Sequence, residues 1–199
     1  MPKREFSPTP LPEPELPEAD RYAYPHRVLH WLVAAVMLLS LASGLILGFL
    51  GFEGAMERLG QAGTDLLYTA HKSLGVALLA LMTLRLATRL LYVVPDHEPP
   101  LPTLQRVLST AVHHLLYLVL LAQPLLGWAA TASGNFPVQF LHWHLPGIVP
   151  VDQALSERLF TLHEWLGWVA LGLITLHIAG ALYHWLIRRD RVMQRMSLL

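Results

Sequence analysis

The chain has 199 residues, no net charge at pH 7, 54% hydrophobic residues and only 14% charged ones. A soluble domain carries about 25% charged residues, so this balance, with a mean hydropathy of +0.43, indicates a protein embedded in a lipid bilayer and excludes the basic surface that nucleic-acid binding requires. The absence of cysteine excludes disulfides, thiolate-held iron–sulfur clusters and C-x-x-C-H haem attachment, and leaves imidazole, from eleven histidines, as the main ligand for any metal centre.

Residues 1–25 hold seven of the fifteen prolines, with acidic residues between them. Such a segment buries too little apolar surface to offset its ordering entropy and reads as an extended or disordered tail. No apolar core follows its first basic residues, so it does not read as a signal peptide. Residues 26–199 read as one transmembrane domain. Val28 to Phe52 carries no charge, which is enough to cross a hydrocarbon core that takes about 20 helical residues, and predicts a first helix over 28–50. Gly51 to Thr64 reads as a short polar loop. A second helix is predicted over 67–92, with Lys72 near one end and Arg85 and Arg89 near the other, where long basic side chains reach the interface. After the proline-rich stretch Pro95 to Pro102, a third helix is predicted over 107–130, kinked at Pro124. The segment that follows, with Gly134, Pro137, Pro146 and Pro150, reads as an interfacial loop rich in Trp and His. A fourth helix is predicted over 160–187, ending at Arg188, Arg189 and Arg191. The fold class is therefore all-α, an integral membrane four-helix bundle.

Basic residues set the orientation. Lys3, Arg4, Arg21, Arg27, Arg85, Arg89, Arg106, Arg188, Arg189, Arg191 and Arg195 fall on one side of this arrangement, and Arg58, Lys72 and Arg158 on the other. The excess of positive charge belongs inside, so both termini are expected in the cytoplasm.

Ionisable residues within membrane segments point to function, although a lone His is as readily a neutral group bonded to a carbonyl. Here the pairing of histidines carries the argument. His163 and His177 are fourteen residues apart, which brings both to one helix face about 21 Å apart along the axis, at about 1.5 Å per residue. His30 opens the first helix from the inside and shares the depth of His177. His71 opens the second from the outside and shares the depth of His163. Two such pairs suit two bis-imidazole haems, since helical bundles build cofactor sites from facing side chains.

His184 competes with His177, but pairing it with His163 would separate the two sites by about 32 Å, at about 1.5 Å per residue, more than the hydrocarbon core. It reads instead as a contact for a haem propionate or a quinone, and with His26 it marks a candidate quinone site at the cytoplasmic end. His113 and His114 could reach the inner site or sit at the headgroups. His142 and His144 are too few for a closed metal site, His26 and His97 lie in flanking segments and read as solvated, and Met37 and Met82 read as packing. Arg85 could anchor a headgroup or pair with an inner propionate. Lys72 could steady an outer propionate or attract an anionic donor. Gly44 and Gly48, with Gly75, Gly167 and Gly172, thin their helices for close packing or for a flat macrocycle. Trp31, Trp128, Trp143, Trp165, Trp185 and Tyr183 suit the membrane interfaces.

Four stretches, RVLHWLV, TAHKSLGVALL with LRLATRL, AQPLLG, and LHEWLGW with LHIAGALYH, resemble the prokaryotic cytochrome b561 family, which is similar in turn to the cytochrome b subunits of membrane-bound hydrogenases. The likeness covers residues 22–196. It implies four transmembrane helices in the bacterial inner membrane, two b haems held by His30, His71, His163 and His177, and electron exchange with ubiquinone or another quinone. Some small members pass electrons from superoxide to ubiquinone. The expected activity is a one-electron relay from a periplasmic donor through the outer haem (His71, His163) and inner haem (His30, His177) to the quinone pool, or in the reverse direction, an oxidoreductase role. The alternative is a haem-bearing anchor for a larger dehydrogenase or hydrogenase, in which the acidic, proline-rich tail docks a partner subunit. Self-association is left open, and a haem-free transporter using its histidines for protons or metal is a third class.

Overall fold

A computed structural model describes residues 21–93, 95 and 101–198. Most of the predicted tail and His97 lie outside the described residues. The chain is mostly helical. Among the described residues three helices are long and apolar enough to cross a membrane: α1, Tyr24–Leu91; α2, Thr103–Ser133; and α3, Gln153–Tyr183, which continues through a π turn to Arg188.

Helix α1 is one helical run broken at two glycines. Gly51 and Gly60 have φ of 63° and 67° with ψ near 180°, a region essentially restricted to glycine. The breaks leave a first arm over 24–50, a short link over 52–59 and a second arm over 61–91. The expected loop from Gly51 to Thr64 is thus largely helical, and the second arm starts before residue 67. The arms fold back on each other: Arg85 Nη1 donates to the His26 carbonyl (3.1 Å), and His71 Nδ1 to the Ser40 carbonyl (3.1 Å). Helix α2 continues through Pro124 and extends beyond 107–130 at both ends. Helix α3 begins at Gln153 rather than 160, because the Asp152 side chain caps it by accepting from the Leu155 amide at 3.0 Å.

The core draws equally on four helical segments: Val33 and Met37 from the first arm, Leu78 and Met82 from the second, Val119 and Leu120 from α2, and Ala170 and Ile174 from α3. Met37 and Met82 are packing residues. A two-stranded antiparallel hairpin interrupts the connection from α2 to α3, with β1, Val138–Phe140, paired to β2, Trp143–Leu145. The hairpin sits on the start of the second arm. Lys72 Nζ donates to the Pro137 carbonyl (2.9 Å), Thr69 Oγ1 to Gln139 Oε1 (3.3 Å), and the Leu141 amide to Ser73 Oγ (2.8 Å).

At the opposite end a last short helix, α4, Val192–Met196, meets the start of α1. The Tyr22 amide donates to the Arg195 carbonyl (3.2 Å), Trp31 Nε1 to the Met196 carbonyl (2.9 Å), and Arg21 and Arg27 both to the Ser197 carbonyl. The described chain therefore begins and ends at one end of the molecule, with Arg85, Arg188 and Arg189 nearby in the fold.

Candidate functional site

His71, on the second arm of α1, faces His163 on α3, with ring centres 6.1 Å apart and planes at 85°. Each imidazole is oriented by a carbonyl on a third helical segment. His71 Nδ1 donates to the Ser40 carbonyl (3.1 Å), and Ser43 Oγ lies 3.0 Å from the same nitrogen while donating to Ser40 O at 2.9 Å. His163 Nδ1 donates to the Gln123 carbonyl (3.1 Å), and Gln123 Nε2 donates back to the His163 carbonyl (2.8 Å). A carbonyl can only accept, so in both rings the proton sits on Nδ1 and the lone pair on Nε2. This is the tautomer that a metal-binding imidazole with an oriented second nitrogen adopts.

Glycine makes room for both rings. A Cβ at Gly44 would lie 2.8 Å from His71 Cε1, and one at Gly127 would lie 2.9 Å from His163 Cε1. The same device therefore occurs twice. A backbone carbonyl (Ser40, Gln123) receives the imidazole N–H, and a glycine one turn later (Gly44, Gly127) admits the ring.

Both rings line a largely apolar cavity of about 170 Å³, together with Gly44, Gly48, Gly75 and Gly167. Well-packed interiors hold few voids larger than a water molecule. A side chain at Gly48 or Gly75 would meet no atom within 4 Å, so these glycines border open space.

The second pair lies fourteen residues along α3, where His177 faces His30 of the first arm, again with ring centres 6.1 Å apart and planes at 65°. His113 of α2 packs edge-on against His177 at 5.1 Å, its Nδ1 donating to the Ser109 carbonyl (2.6 Å). His114 points elsewhere, is exposed, and bonds the Thr110 carbonyl (2.7 Å). Of the two histidines opening the third predicted helix, His113 reaches this site.

The remaining candidates have protein partners. Buried Arg85 bonds the His26 carbonyl and lies over the Tyr117 ring at 6.0 Å. His26 is buried rather than solvated, because it stacks on Tyr22 and approaches Thr88 Oγ1 (3.3 Å). Lys72 reaches the hairpin at Pro137. His184 bonds Asp190 Oδ2 at 2.6 Å, and Arg188 Nε lies 3.1 Å from the same oxygen. His142 lies edge-on to Trp143. Sequence reasoning missed Ser40, Ser43, Gln123 and Gly127. The nearest signal was AQPLLG, which contains both Gln123 and Gly127.

A model of the prokaryotic cytochrome b561 family matches residues 21–197. The chain belongs to the prokaryotic cytochrome b561 family. Two relatives from Escherichia coli K12 are cytochrome b561 homolog 1, 27% identical over 89% of this chain and 97% of the relative, and cytochrome b561 homolog 2, 26% identical over 89% and 91%. A third, named probable superoxide oxidase CybB, from Yersinia pestis, is 27% identical over 84% of this chain and 90% of its own length.

Membership in this family of membrane electron carriers implies haem b. The side chains present fit that group. Two imidazoles bound on opposite sides of one metal, each at about 2.0–2.1 Å, have ring centres roughly 6.3 Å apart. Both pairs lie at 6.1 Å. Among the described residues no three His, Cys, Asp or Glu side chains gather as a metal site of their own.

Proposed function

We propose that this member of the family carries single electrons across the bacterial inner membrane between a donor on the periplasmic face and the quinone pool. In this reading it crosses the bilayer four times, as the two arms of α1, α2 and α3, with both termini in the cytoplasm. His71 and His163 hold one haem b near the outer face, and His30 and His177 hold a second nearer the cytoplasm. The observation that carries the reading is the recurrence of a 6.1 Å imidazole pair at two depths, with α3 contributing one ring to each.

When bound, haem b supplies reversible one-electron chemistry at its iron. The protein holds and insulates that chemistry. Two imidazoles holding one haem would favour electron transfer over oxygen binding. The carbonyls of Ser40 and Gln123 hold the proton on Nδ1 of His71 and His163 and so leave the Nε2 lone pair of each ring free for a metal. Leu41, Leu45, Leu78 and Leu120 help to exclude water from the cavity. The roughly 21 Å rise between His163 and His177, at about 1.5 Å per residue, divides the crossing into shorter steps.

The name of the Yersinia pestis relative supports superoxide as the donor. The cluster of basic residues at the cytoplasmic end, with His26 and His184, supports quinone reduction there. The test is to supply purified protein with enzymatically generated superoxide and ubiquinone. Quinol should form above the uncatalysed background, and added ubiquinol should reduce the haems under anaerobic conditions. Haems that neither superoxide nor quinol reduces would overturn the reading.

A further inference from the structure

The two outer imidazoles have matching carbonyl partners but differ in one respect. Among the described residues, His163 has the Gln123 carbonyl alone within hydrogen-bond reach of its Nδ1. His71 has the Ser40 carbonyl at 3.1 Å and, in addition, the Ser43 hydroxyl oxygen at 3.0 Å. That hydroxyl donates its own proton to Ser40 O (2.9 Å), so toward the imidazole it can only accept. The His71 N–H is thus shared between two oxygens. Both belong to buried residues, Ser40 and Ser43, where low local polarity strengthens each bond.

We infer that Ser43 is a positioning residue that sets the electron affinity of the outer site, by acting as a second acceptor on His71 and making that imidazole a stronger donor to its metal. The inference rests on the reading that His71 is an axial ligand. Each acceptor on Nδ1–H moves electron density into the ring, the more basic Nε2 favours ferric over ferrous iron, and the reduction potential falls. Ser40 supplies its bond through the backbone and cannot be removed by substitution. Ser43 contributes through its side chain and can be. It lies next to Gly44, which gives His71 its room, so one turn of the first arm both admits the ring and tunes it. A lowered outer potential favours passage of the electron inward.

The test is spectroelectrochemical titration of the full-length holoprotein in detergent, comparing wild type with Ser43→Ala, Ser43→Thr and His71→Ala. The His71→Ala protein identifies the inner component, and the component it lacks is the outer one. In Ser43→Ala both haems should be retained. The outer component should become easier to reduce by about tenfold in its equilibrium constant, an upward shift of about 59 mV for one electron, while the inner component stays in place. Ser43→Thr keeps the hydroxyl and should titrate like wild type. An unmoved outer potential in Ser43→Ala would overturn the inference. So would an equal shift in Ser43→Thr, or loss of a haem from Ser43→Ala, which would make the hydroxyl a structural support. His71→Ala retaining both haems would instead sink the ligand assignment itself, so the two failures are distinguishable.

Discussion

His163 and Gln123 hold each other by two hydrogen bonds that run in opposite directions. The imidazole Nδ1 donates to the Gln123 carbonyl at 3.1 Å, and the Gln123 side chain donates to the His163 carbonyl at 2.8 Å. The pair ties α2 to α3 at the outer site and fixes the ring. Replacing Gln123 with Leu keeps the bulk and the backbone carbonyl but removes the return bond. Such a bond is worth about 1 kcal/mol, and supporting partners of a ligating His are worth about 10–100-fold in affinity. The expected outcome is faster loss of one haem, read by transfer to apomyoglobin, with the other haem unaffected.

Alanine at Gly44 or Gly127 should empty the outer site. In an exposed helix this change would stabilise by about 1 kcal/mol. Here the new methyl would lie 2.8 Å from His71 or 2.9 Å from His163. We expect half the haem absorbance to be lost in either variant. Alanine at Gly48, where nothing lies within 4 Å in the protein alone, separates contact with the ring from contact with a macrocycle. It should leave the apoprotein folded and weaken only haem binding.

The breaks in α1 can be tested without reference to haem. Gly51→Ala and Gly60→Ala meet no neighbouring atom, so their cost is the backbone conformation alone, about 1–3 kcal/mol each. Gly54, between them in the short helical link, would place its methyl an ordinary 3.6 Å from Leu50 Cβ and should tolerate alanine. Thermal unfolding in detergent should show lower midpoints for Gly51→Ala and Gly60→Ala and no loss for Gly54→Ala.

Topology is open to direct labelling, because the sequence contains no cysteine to remove first. Glu57 in the link and Leu198 near the C-terminus are both exposed and lie at opposite ends of the fold. An impermeant maleimide should label Glu57→Cys in intact spheroplasts and Leu198→Cys only after lysis. The reverse pattern would invert the protein in the membrane.

The fourteen-residue interval between His163 and His177 could be read from the chain because helical rise and twist convert sequence spacing directly into face and depth. The approach of His71 to His163 follows from the same arithmetic once antiparallel helices are assumed. What could not be read depends on rotational phase and on distant partners. Ser43 and Gln123 are ordinary polar residues until the helices are packed. The partner of Lys72, the Pro137 carbonyl, is 65 residues away. The segment Gly51 to Thr64 read as a loop from its glycines and polar residues, yet two positive-φ glycines suffice to turn the chain and the residues between stay helical. The hairpin was hidden because its turn places Leu141 at φ 56°, a position where glycine or asparagine is the usual signal.

The central claim is that four histidines hold two haems in two fixed pairs, and haem counting in single variants tests it most directly. The ratio of haem to protein, by pyridine haemochrome assay, should be two in the wild type and one in each of His30→Ala, His71→Ala, His163→Ala and His177→Ala. His184→Ala should retain two. A wild-type ratio of one, or a His177→Ala protein that keeps both haems while His184→Ala loses one, would contradict the account.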